Sequence, residues 1–234
     1  MPNLPTHVED ELAFLASLVP LEDAEVIEVG CGAADFARKL VATYPHAQVT
    51  GVEVDERQHA KNLAQETPRL HFVLGAGQQL PLPSAKFSLG LMLKSLHHVP
   101  EAFMDRALLE MARVLAPGGW LYVSEPVFDG PFNEVVRLFH DEQLVRAQAQ
   151  AALDRAAVAP EWEQVVDHQF MTPLFFRDFE SFERKIIAAT YQDHQLAPEL
   201  LALVRERFEA HMGADGAHFV RPMRVRLFRK VAAG

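Results

Sequence analysis

The sequence predicts an α/β fold in which helices wrap a parallel sheet. From about residue 7 to residue 125, short apolar runs alternate with amphipathic segments, a pattern typical of strands joined by crossover helices. The chain has 234 residues, of which 49% are hydrophobic and 23% are charged, so it is long enough to bury one large core. We therefore expect a single domain over residues 1–234.

Each strand expected in this part of the chain is a short apolar run bounded by turn residues. These strands cover residues 25–29, 48–54, 70–74, 87–93 and 120–124. The helices expected between them are amphipathic, and they cover residues 34–43, 56–66 and 101–115. The last of these helices ends before Pro117, Gly118 and Gly119, because proline and glycine both disfavour a helix interior.

The pattern changes after Pro126. Residues 134–158 form a polar, alanine- and glutamine-containing stretch that predicts helix and contains no strand pattern. We interpret residues 127–160 as a helical cap inserted at one edge of the sheet. Strands are expected again at residues 165–171 and 219–230, and helices at residues 177–191 and 199–211.

The chain accordingly divides into a first half over residues 20–126, the cap, and a C-terminal half over residues 161–234. Aromatic residues concentrate outside the first half. A cap lined by them would form an apolar substrate pocket, and an ordinary core is the alternative. These residues are Phe128, Phe132, Phe139, Phe170, Phe175, Phe176, Phe179 and Phe182.

The composition argues against several kinds of partner. Lys and Arg number 22 and Asp and Glu number 32, a net charge of −10, which disfavours nucleic-acid binding because such binding needs basic groups against phosphates. No apolar run approaches the roughly 18 residues of a membrane span, and the N-terminal residues lack the pattern of a secretory signal. We expect a cytoplasmic protein without nucleic-acid or membrane partners.

The sequence also gives no support for a metal site. Cys31 is the only cysteine, so neither an internal disulfide nor a cysteine cluster is expected. No pair of histidines and acids has the spacing of zinc ligands.

Near the C-terminus, Arg224 and Arg226 share one strand face. We attribute them to a solvated edge strand, and an anionic substrate or an acidic patch of a partner is the alternative.

A glycine-rich turn follows the first strand and precedes the first helix. In this turn Gly30 and Gly32 let the backbone pass close to a ligand, and the helix N-terminus behind it offers free N–H groups. Glu53 ends the second strand, where a carboxylate can accept hydrogen bonds from ribose hydroxyls. Turn and acid together predict an adenosine-containing ligand, and a tight turn without a ligand is the alternative.

Two kinds of adenosine ligand are possible. A dinucleotide-linked oxidoreductase would carry a third glycine in the turn, whereas Ala33, Ala34 and Asp35 follow here. Asp35 would also repel a pyrophosphate. S-adenosylmethionine has no phosphate, and its ammonium group suits an acidic neighbour, so it is the better fit.

Five segments resemble the class I S-adenosylmethionine-dependent methyltransferases, particularly the small-molecule branch often called type 11. In the family's order, they are residues 26–32, 51–55, 80–83, 95–99 and 112–119. The resemblance implies a doubly wound, seven-stranded, mostly parallel sheet with antiparallel final strands. It also implies methyl transfer from S-adenosylmethionine to a small-molecule acceptor.

The resemblance assigns the cofactor to residues at the carboxyl ends of the strands. Glu28 and the glycine turn would line its methionine and ribose end, Glu53 the ribose hydroxyls and Val54 the adenine, with the loop after strand four closing over it. The residues assigned to the cofactor are Glu28, Gly30, Cys31, Gly32, Glu53, Val54, Ala76, Gly77, Gln78, Lys94 and Ser95.

Three positions depart from the family pattern. Ala34 replaces a common third glycine, which should crowd the turn only slightly. Ala76 stands where an aspartate often accepts from the adenine amino group, and Gln78 or Gln79 could supply a carbonyl instead. Ser88 also replaces an aspartate. These departures keep open a third hypothesis, a non-catalytic member of the fold that binds a cofactor or a partner.

Two residues are candidates for catalysis. His97 follows strand four, at the sheet edge where ligands bind in such folds, and could take a proton from a substrate; a structural turn residue is the alternative. Glu125 follows strand five and could orient a substrate amine or hydroxyl, with a solvated loop as the alternative. Methyl transfer does not always need a base, because the sulfonium is already activated.

Overall fold

A computed structural model describes residues 4–188 and 196–232. The strands in these residues are β1 (Glu25–Val29), β2 (Gln48–Glu53), β3 (Leu70–Leu74), β4 (Phe87–Leu93), β5 (Leu115–Pro126), β6 (Trp162–Phe176) and β7 (Ala217–Lys230). They form one mixed sheet in the order β3-β2-β1-β4-β5-β7-β6. The predicted seven-stranded, doubly wound α/β fold is confirmed.

The strand order reverses between β1 and β4, and this reversal positions the site. β1 pairs in parallel with β2 on one side and with β4 on the other. β3 and β5 extend the sheet in parallel on the two flanks. In such sheets ligands bind beyond the carboxyl ends of the strands at the reversal, which here are the segments after Val29 and Leu93.

The helices in the described residues are α1 (Glu11–Ala16), α2 (Asp35–Thr43), α3 (Glu56–Leu63), α4 (Glu101–Val114), α5 (Pro131–Val136), α6 (Gln143–Ala156), α7 (Phe179–Phe182) and α8 (Pro198–Glu209). A 3₁₀ turn covers Leu96–His98 and a π-helical turn covers Glu183–Ile187. Helix α1 was not predicted. Its N-cap is Asp10, whose carboxylate accepts from the N–H groups of Leu12 and Ala13, a side-chain cap of the usual kind.

The structure differs from the predicted boundaries of one strand and two helical segments. β5 begins at Leu115, five residues before the expected start, because Leu115 already pairs with Phe87 and the sheet absorbs the glycines in a register shift. The helical stretch expected over residues 134–158 is interrupted between α5 and α6. The helix expected over residues 177–191 ends as the π-helical turn, and residues 189–191 lie outside the described residues.

The described residues pack as two units. The larger unit comprises residues 10–125, 145–168 and 224–232, and the smaller unit comprises residues 4–9, 126–144, 169–188 and 196–223. Helix α5 therefore belongs to the smaller unit and most of α6 to the larger one. The division of the chain into a first half, a 127–160 cap and a C-terminal half stays a prediction.

The larger unit is held by an apolar core on the face of the sheet that α4 and α6 cover. Among its fully buried members are Ile27, Met92, Val114, Leu121 and Leu153. These side chains come from two central strands, β5 and the two helices, so burial of their apolar surface is what fixes the helices against the sheet.

Arg224 and Arg226 do not lie on an edge strand, so that interpretation is wrong. β7 lies between β5 and β6, and Arg226 is only 2% exposed. Its guanidinium pairs with Asp154 of α6 and donates to Gln164 Oε1 at 2.6 Å. Arg224 donates to both oxygens of Asp167, at 2.8 and 2.7 Å, and lowers the pKa of that carboxyl. Both cations are thus already paired with carboxylates of the larger unit.

The smaller unit has an aromatic core of its own. Its rings lie 4.9 to 6.4 Å apart between centroids, a spacing at which edge-to-face and offset pairs are favourable. Four of the aromatic residues singled out in the sequence therefore belong to an ordinary core, as one of the two alternatives predicts. They are Phe132, Phe176, Phe179 and Phe182.

Within residues 4–188 and 196–232, no helix has both the length and the apolar character that crossing a bilayer requires.

Candidate cofactor and active site

The glycine turn is shaped by contacts with β2 and with the segment after β4. The N–H groups of Gly30 and Cys31 donate to the carbonyl of Val52 at 2.9 and 3.1 Å. Gly30 has φ +72°, and a Cβ there would lie 2.6 Å from Ser95 Cβ. Ser95 Oγ in turn donates to the carbonyl of Val29 at 2.7 Å. Only glycine fits at position 30, because any side chain would separate the ends of β1 and β4.

Gly32 differs from Gly30 because it faces open space. Its φ is +52°, and among the described residues other than its chain neighbours no atom lies within 4 Å of where a Cβ would stand. The backbone of the turn is therefore accessible at Gly32, as close approach to a ligand requires. Ala34, which follows it, is buried and has φ +59° at the start of α2. The main effect of Ala34 is therefore backbone strain at a left-handed position, and not the slight crowding of the turn that the sequence predicts.

Glu53 lies where the sequence predicts, and its carboxylate is engaged by backbone. Oε2 accepts from the N–H of Gly32 at 2.8 Å. Oε1 accepts from the N–H groups of Val54 and Asp55 at 2.8 and 2.9 Å. The acid is buried, so these bonds hold the end of β2 against the glycine turn. Oε2 keeps capacity for a further donor, since a carboxylate oxygen accepts two hydrogen bonds.

An exposed apolar surface adjoins Glu53. Val54 is 67% exposed and Leu74, the register partner of Glu53 on β3, is 43% exposed. The loop that follows β3 bends at Ala76, whose carbonyl accepts from Gln79 N–H at 3.0 Å. A flat apolar group such as a purine could be covered by these two side chains.

The remaining predicted loop residues lie beside that surface. A Cβ at Gly77 would stand 3.2 Å from Val29 Cγ1, so this loop packs against the end of β1. Gln78 is half-buried and Gln79 is exposed. Ser88 lies at the opposite end of β4, where its hydroxyl accepts from Glu25 N–H at 3.0 Å. The replacement of aspartate by Ser88 therefore leaves the cofactor edge untouched.

Glu28 is a buried carboxyl at the end of β1. Its Oε2 has no hydrogen-bond partner within the described part of the chain. Burial raises the pKa of Glu28 to about 8, and the nearby Lys94 ammonium opposes this shift. Near neutral pH the folded protein therefore holds a protonated Glu28 with an oxygen available to a polar ligand group.

Lys94 brings a charge to the same region. Its φ is +56°, an unusual and strained value for a lysine, and its N–H donates to the carbonyl of Ser124 at 2.7 Å. Its Nζ lies 3.5 Å from Glu11 Oε2 on α1. Tyr122 donates to Glu11 Oε1 at 3.3 Å. Glu11 was missed from the sequence; the capping Asp10 ahead of a short apolar pattern is the signal that could have located α1.

His97 and Glu125 form a buried pair at this edge of the sheet. β4 and β5 end side by side, since Leu93 pairs with Ser124. His97 Nδ1 is hydrogen-bonded to Glu125 Oε2, and Glu125 Oε1 accepts from Leu96 N–H at 2.8 Å. Both side chains are buried. The solvated-loop interpretation of Glu125 is therefore wrong.

The pair fixes the state of the imidazole. An ionised Glu125 can only accept, which places the proton on Nδ1 and makes Nε2 of a neutral ring an acceptor. The sequence singles out His97 and Glu125 separately, and their pairing is a tertiary contact between residues 28 positions apart.

Cys31 does not present its side chain as a nucleophile. Burial raises the pKa of its thiol far above the usual value, with Glu28 and Glu53 adding to the effect. Its Sγ lies inward, beside Asn62 Nδ2 and Gly51. Because its side chain lies inward, Cys31 can contact a ligand in the glycine turn only through its backbone.

Residues 26–119 match a family model described as a methyltransferase domain. Over these residues the chain is similar to the class I methyltransferases. The matched region runs from β1 into β5 and includes the glycine turn, Glu53 and His97. The family resemblance that the five sequence segments predict is confirmed. The roles of the individual site residues, the absence of a metal and of nucleic-acid or membrane partners, and the cytoplasmic location stay predictions.

Two curated relatives of this chain are named as methyltransferases of small molecules. A fatty-acid O-methyltransferase of Mycolicibacterium smegmatis is 35% identical over 125 residues, which are 50% of this chain and 43% of the relative. A 27-O-demethylrifamycin SV methyltransferase of Amycolatopsis mediterranei is 32% identical over 117 residues, which are 47% of this chain and 42% of the relative. The chain thus spans less than half the length of these relatives.

Solved structures share the fold over nearly the whole chain. The YcgJ protein of Bacillus subtilis has a TM-score of 0.65 and 17% identity, over 95% of this chain and 98% of that one. The cyclase SpnF has a TM-score of 0.59 and 22% identity, over 95% of this chain and 81% of that one. At these identities the likeness concerns the fold alone. Because one neighbour is named a cyclase, the fold does not by itself determine the reaction.

Proposed function

We propose that this chain transfers the methyl group of S-adenosylmethionine to a small-molecule acceptor, with His97 as the base. The observation that carries the proposal is the buried pair of His97 and Glu125, which directly follows the Lys94–Ser95 loop at the end of β4. A histidine held by a carboxylate is arranged for proton transfer. The methyltransferase family supplies the reaction class, and the names of the two relatives support a small molecule as the acceptor.

The residues of the larger unit fit the cofactor part by part. The open space at Gly32 admits a ligand against the backbone, and Glu53 Oε2 beside it has room for a ribose hydroxyl. Val54 and Leu74 offer an apolar surface to adenine. Glu28, whose Oε2 has no partner among the described residues, offers an acceptor oxygen to the ammonium of the methionine end, and that cation would favour release of the Glu28 proton.

When bound, the cofactor supplies an electrophilic methyl group on its sulfonium. The chain's own residues then bind and orient the acceptor and manage its proton. Glu125 holds the proton on Nδ1 of His97, so that Nε2 takes the proton of an acceptor hydroxyl, carboxyl or amine. Holding the acceptor atom in line, about 3–3.5 Å from the methyl group, supplies much of the rate.

The first experiment follows thermal unfolding while S-adenosylhomocysteine is titrated, with NAD as a control ligand. Ligand at about 100 times its dissociation constant adds about 2.7 kcal/mol, or roughly 5–10 °C for a chain of this size. A response to S-adenosylhomocysteine alone supports the cofactor assignment. A rise in unfolding temperature with NAD alone contradicts that assignment and favours the oxidoreductase hypothesis.

A second experiment separates catalysis from silent binding. The protein is incubated with S-adenosylmethionine and a panel of hydroxyl, carboxyl and amine acceptors, and formation of S-adenosylhomocysteine is measured. Turnover that is lost in His97→Ala supports the proposed base. Binding of S-adenosylhomocysteine with no turnover on any acceptor favours the non-catalytic hypothesis, which the replacement at Ala76 leaves open.

A further inference from the structure

Asn62 is an unusual residue for its position. It is 1% exposed and is the only buried residue of α3, whose other residues are half-buried or exposed. A helix that packs on a sheet normally buries apolar side chains at this position. A buried amide costs free energy unless its donors and acceptor are used, so the partners of Asn62 explain why it is buried.

These partners connect α3 with the glycine turn. Asn62 Nδ2 donates to the carbonyl of Gly32 at 2.8 Å and lies 3.8 Å from Cys31 Sγ. Asn62 Oδ1 accepts from Gln58 Nε2 at 3.0 Å, one helical turn earlier. The carbonyl of Gly32 can only accept, so the orientation of the amide is fixed by its partners.

The peptide groups on the two sides of Gly32 are therefore both held. Its N–H donates to Glu53 and its carbonyl accepts from Asn62, both at 2.8 Å. Glu53 ends β2 and Asn62 lies near the end of α3. The β2–α3 unit therefore makes hydrogen bonds to the turn on both sides of Gly32. The Cα of Gly32 stays turned toward open space between these two bonds.

We propose that Asn62 is a positioning residue for the cofactor turn. It holds the carbonyl of Gly32 back against α3, and thereby keeps the Gly32 N–H on Glu53 and the open side of Gly32 free for the ligand. Asn62 acts through Gly32 and makes no ligand contact of its own. The inference rests on the proposed function, because it names a residue that shapes the same cofactor site.

The test uses Asn62→Asp, which keeps the shape and removes the donor at neutral pH. The ionised side chain would face the Gly32 carbonyl with like partial charge, so S-adenosylhomocysteine should bind about 5- to 30-fold more weakly than to wild type at pH 8. Because position 62 is buried, burial raises the pKa of a carboxyl there; the fraction that is protonated at pH 5 regains an O–H donor, and affinity should recover in part toward wild type at that pH. Asn62→Leu has no such donor and should stay weak at both values.

Two further variants complete the design. Lys61→Ala, on the exposed side of the same helix, is the matched control and should bind like wild type. Gln58→Leu removes only the partner of Asn62 Oδ1 and should weaken binding by about 2- to 5-fold, which keeps the proposal testable if the Asn62 variants fail to fold. Circular dichroism melts without ligand report folding of every variant.

The outcomes separate two failures. Absence of binding by wild type would refute the proposed function itself. If wild type binds and all the folded variants bind equally well, Asn62 does not position the turn. Equal loss at pH 5 and pH 8 in Asn62→Asp and Asn62→Leu would assign Asn62 a general packing role and would also overturn the proposal.

Discussion

The protonated carboxyl of Glu28 makes the stability of this protein depend on pH in a predictable direction. Burial raises its pKa from 4.5 to about 8. Below pH 4.5 both the folded and the unfolded chain hold the proton. Between pH 4.5 and pH 8 only the folded chain holds it, so the free energy of unfolding falls as pH rises.

The magnitude follows from that interval. At 1.36 kcal/mol for each pH unit, the contribution lost by pH 8 is up to about 5 kcal/mol. Glu28→Gln removes the titrating group and keeps the shape of the side chain. Relative to wild type, the variant should therefore gain about 1.4 kcal/mol per pH unit between pH 5 and pH 8, and no more above that range.

Urea unfolding at half-unit pH steps, without ligand, measures this difference for wild type and Glu28→Gln. Glu163→Gln, which removes an exposed carboxylate of β6, controls for the change in net charge. Parallel profiles for wild type and Glu28→Gln would refute the reasoning, since they would mean that Glu28 releases its proton as easily in the folded chain as in the unfolded one.

Three further predictions concern the site. Glu53→Ala should weaken binding of S-adenosylhomocysteine by roughly 1.5–3 kcal/mol, because charge-assisted hydrogen bonds are lost; calorimetric titration measures it. His97→Ala and Glu125→Gln should both lower turnover while leaving that affinity within about twofold, because neither side chain is assigned to the cofactor; initial rates and the same titration separate the two effects. Ala34→Gly should raise the free energy of unfolding by up to about 1 kcal/mol, because it relieves a left-handed alanine, whereas Ala33→Gly should lower it by about 0.4–1 kcal/mol; urea unfolding compares them.

Each of these predictions has a result that contradicts it. Unchanged affinity in Glu53→Ala would reject the ribose assignment. Turnover that survives in His97→Ala would make the buried pair a structural one. A loss of stability in Ala34→Gly as large as that in Ala33→Gly would mean that the start of α2 stores no strain.

The sequence predicted best those features that depend on neighbours along the chain. β1, β3 and β4 were placed with their observed bounds, because each is an apolar run that turn residues end abruptly. The glycine turn and Glu53 were found for the same reason, since a strand, a turn and an acid at a strand end are local patterns. Helix α1 was missed because six residues contain too little of a helical period.

What the sequence could not provide depends on partners far away in the chain. The alternation of charged residues in β7 is typical of an exposed strand, and only the position of β7 inside the sheet shows that Arg226 is buried. The pairing of His97 with Glu125, and that of Asn62 with Gly32, join residues about 30 positions apart. No local pattern marks an asparagine in an otherwise solvated helix as a contact of the glycine turn.

The buried guanidinium of Arg226 has a consequence for how β7 finds its alignment. Side chains of a strand alternate between faces, so a slip by one residue would move Arg226 to the opposite face. Its charge would then lie among apolar groups without Asp154 and Gln164, and an uncompensated buried charge is strongly destabilising. Apolar neighbours such as Val225 and Leu227 tolerate many alignments, whereas one charged side chain with partners on α6 and β6 selects a single register. The paired charge of Arg226 therefore favours the observed register of β7 over registers shifted by one residue.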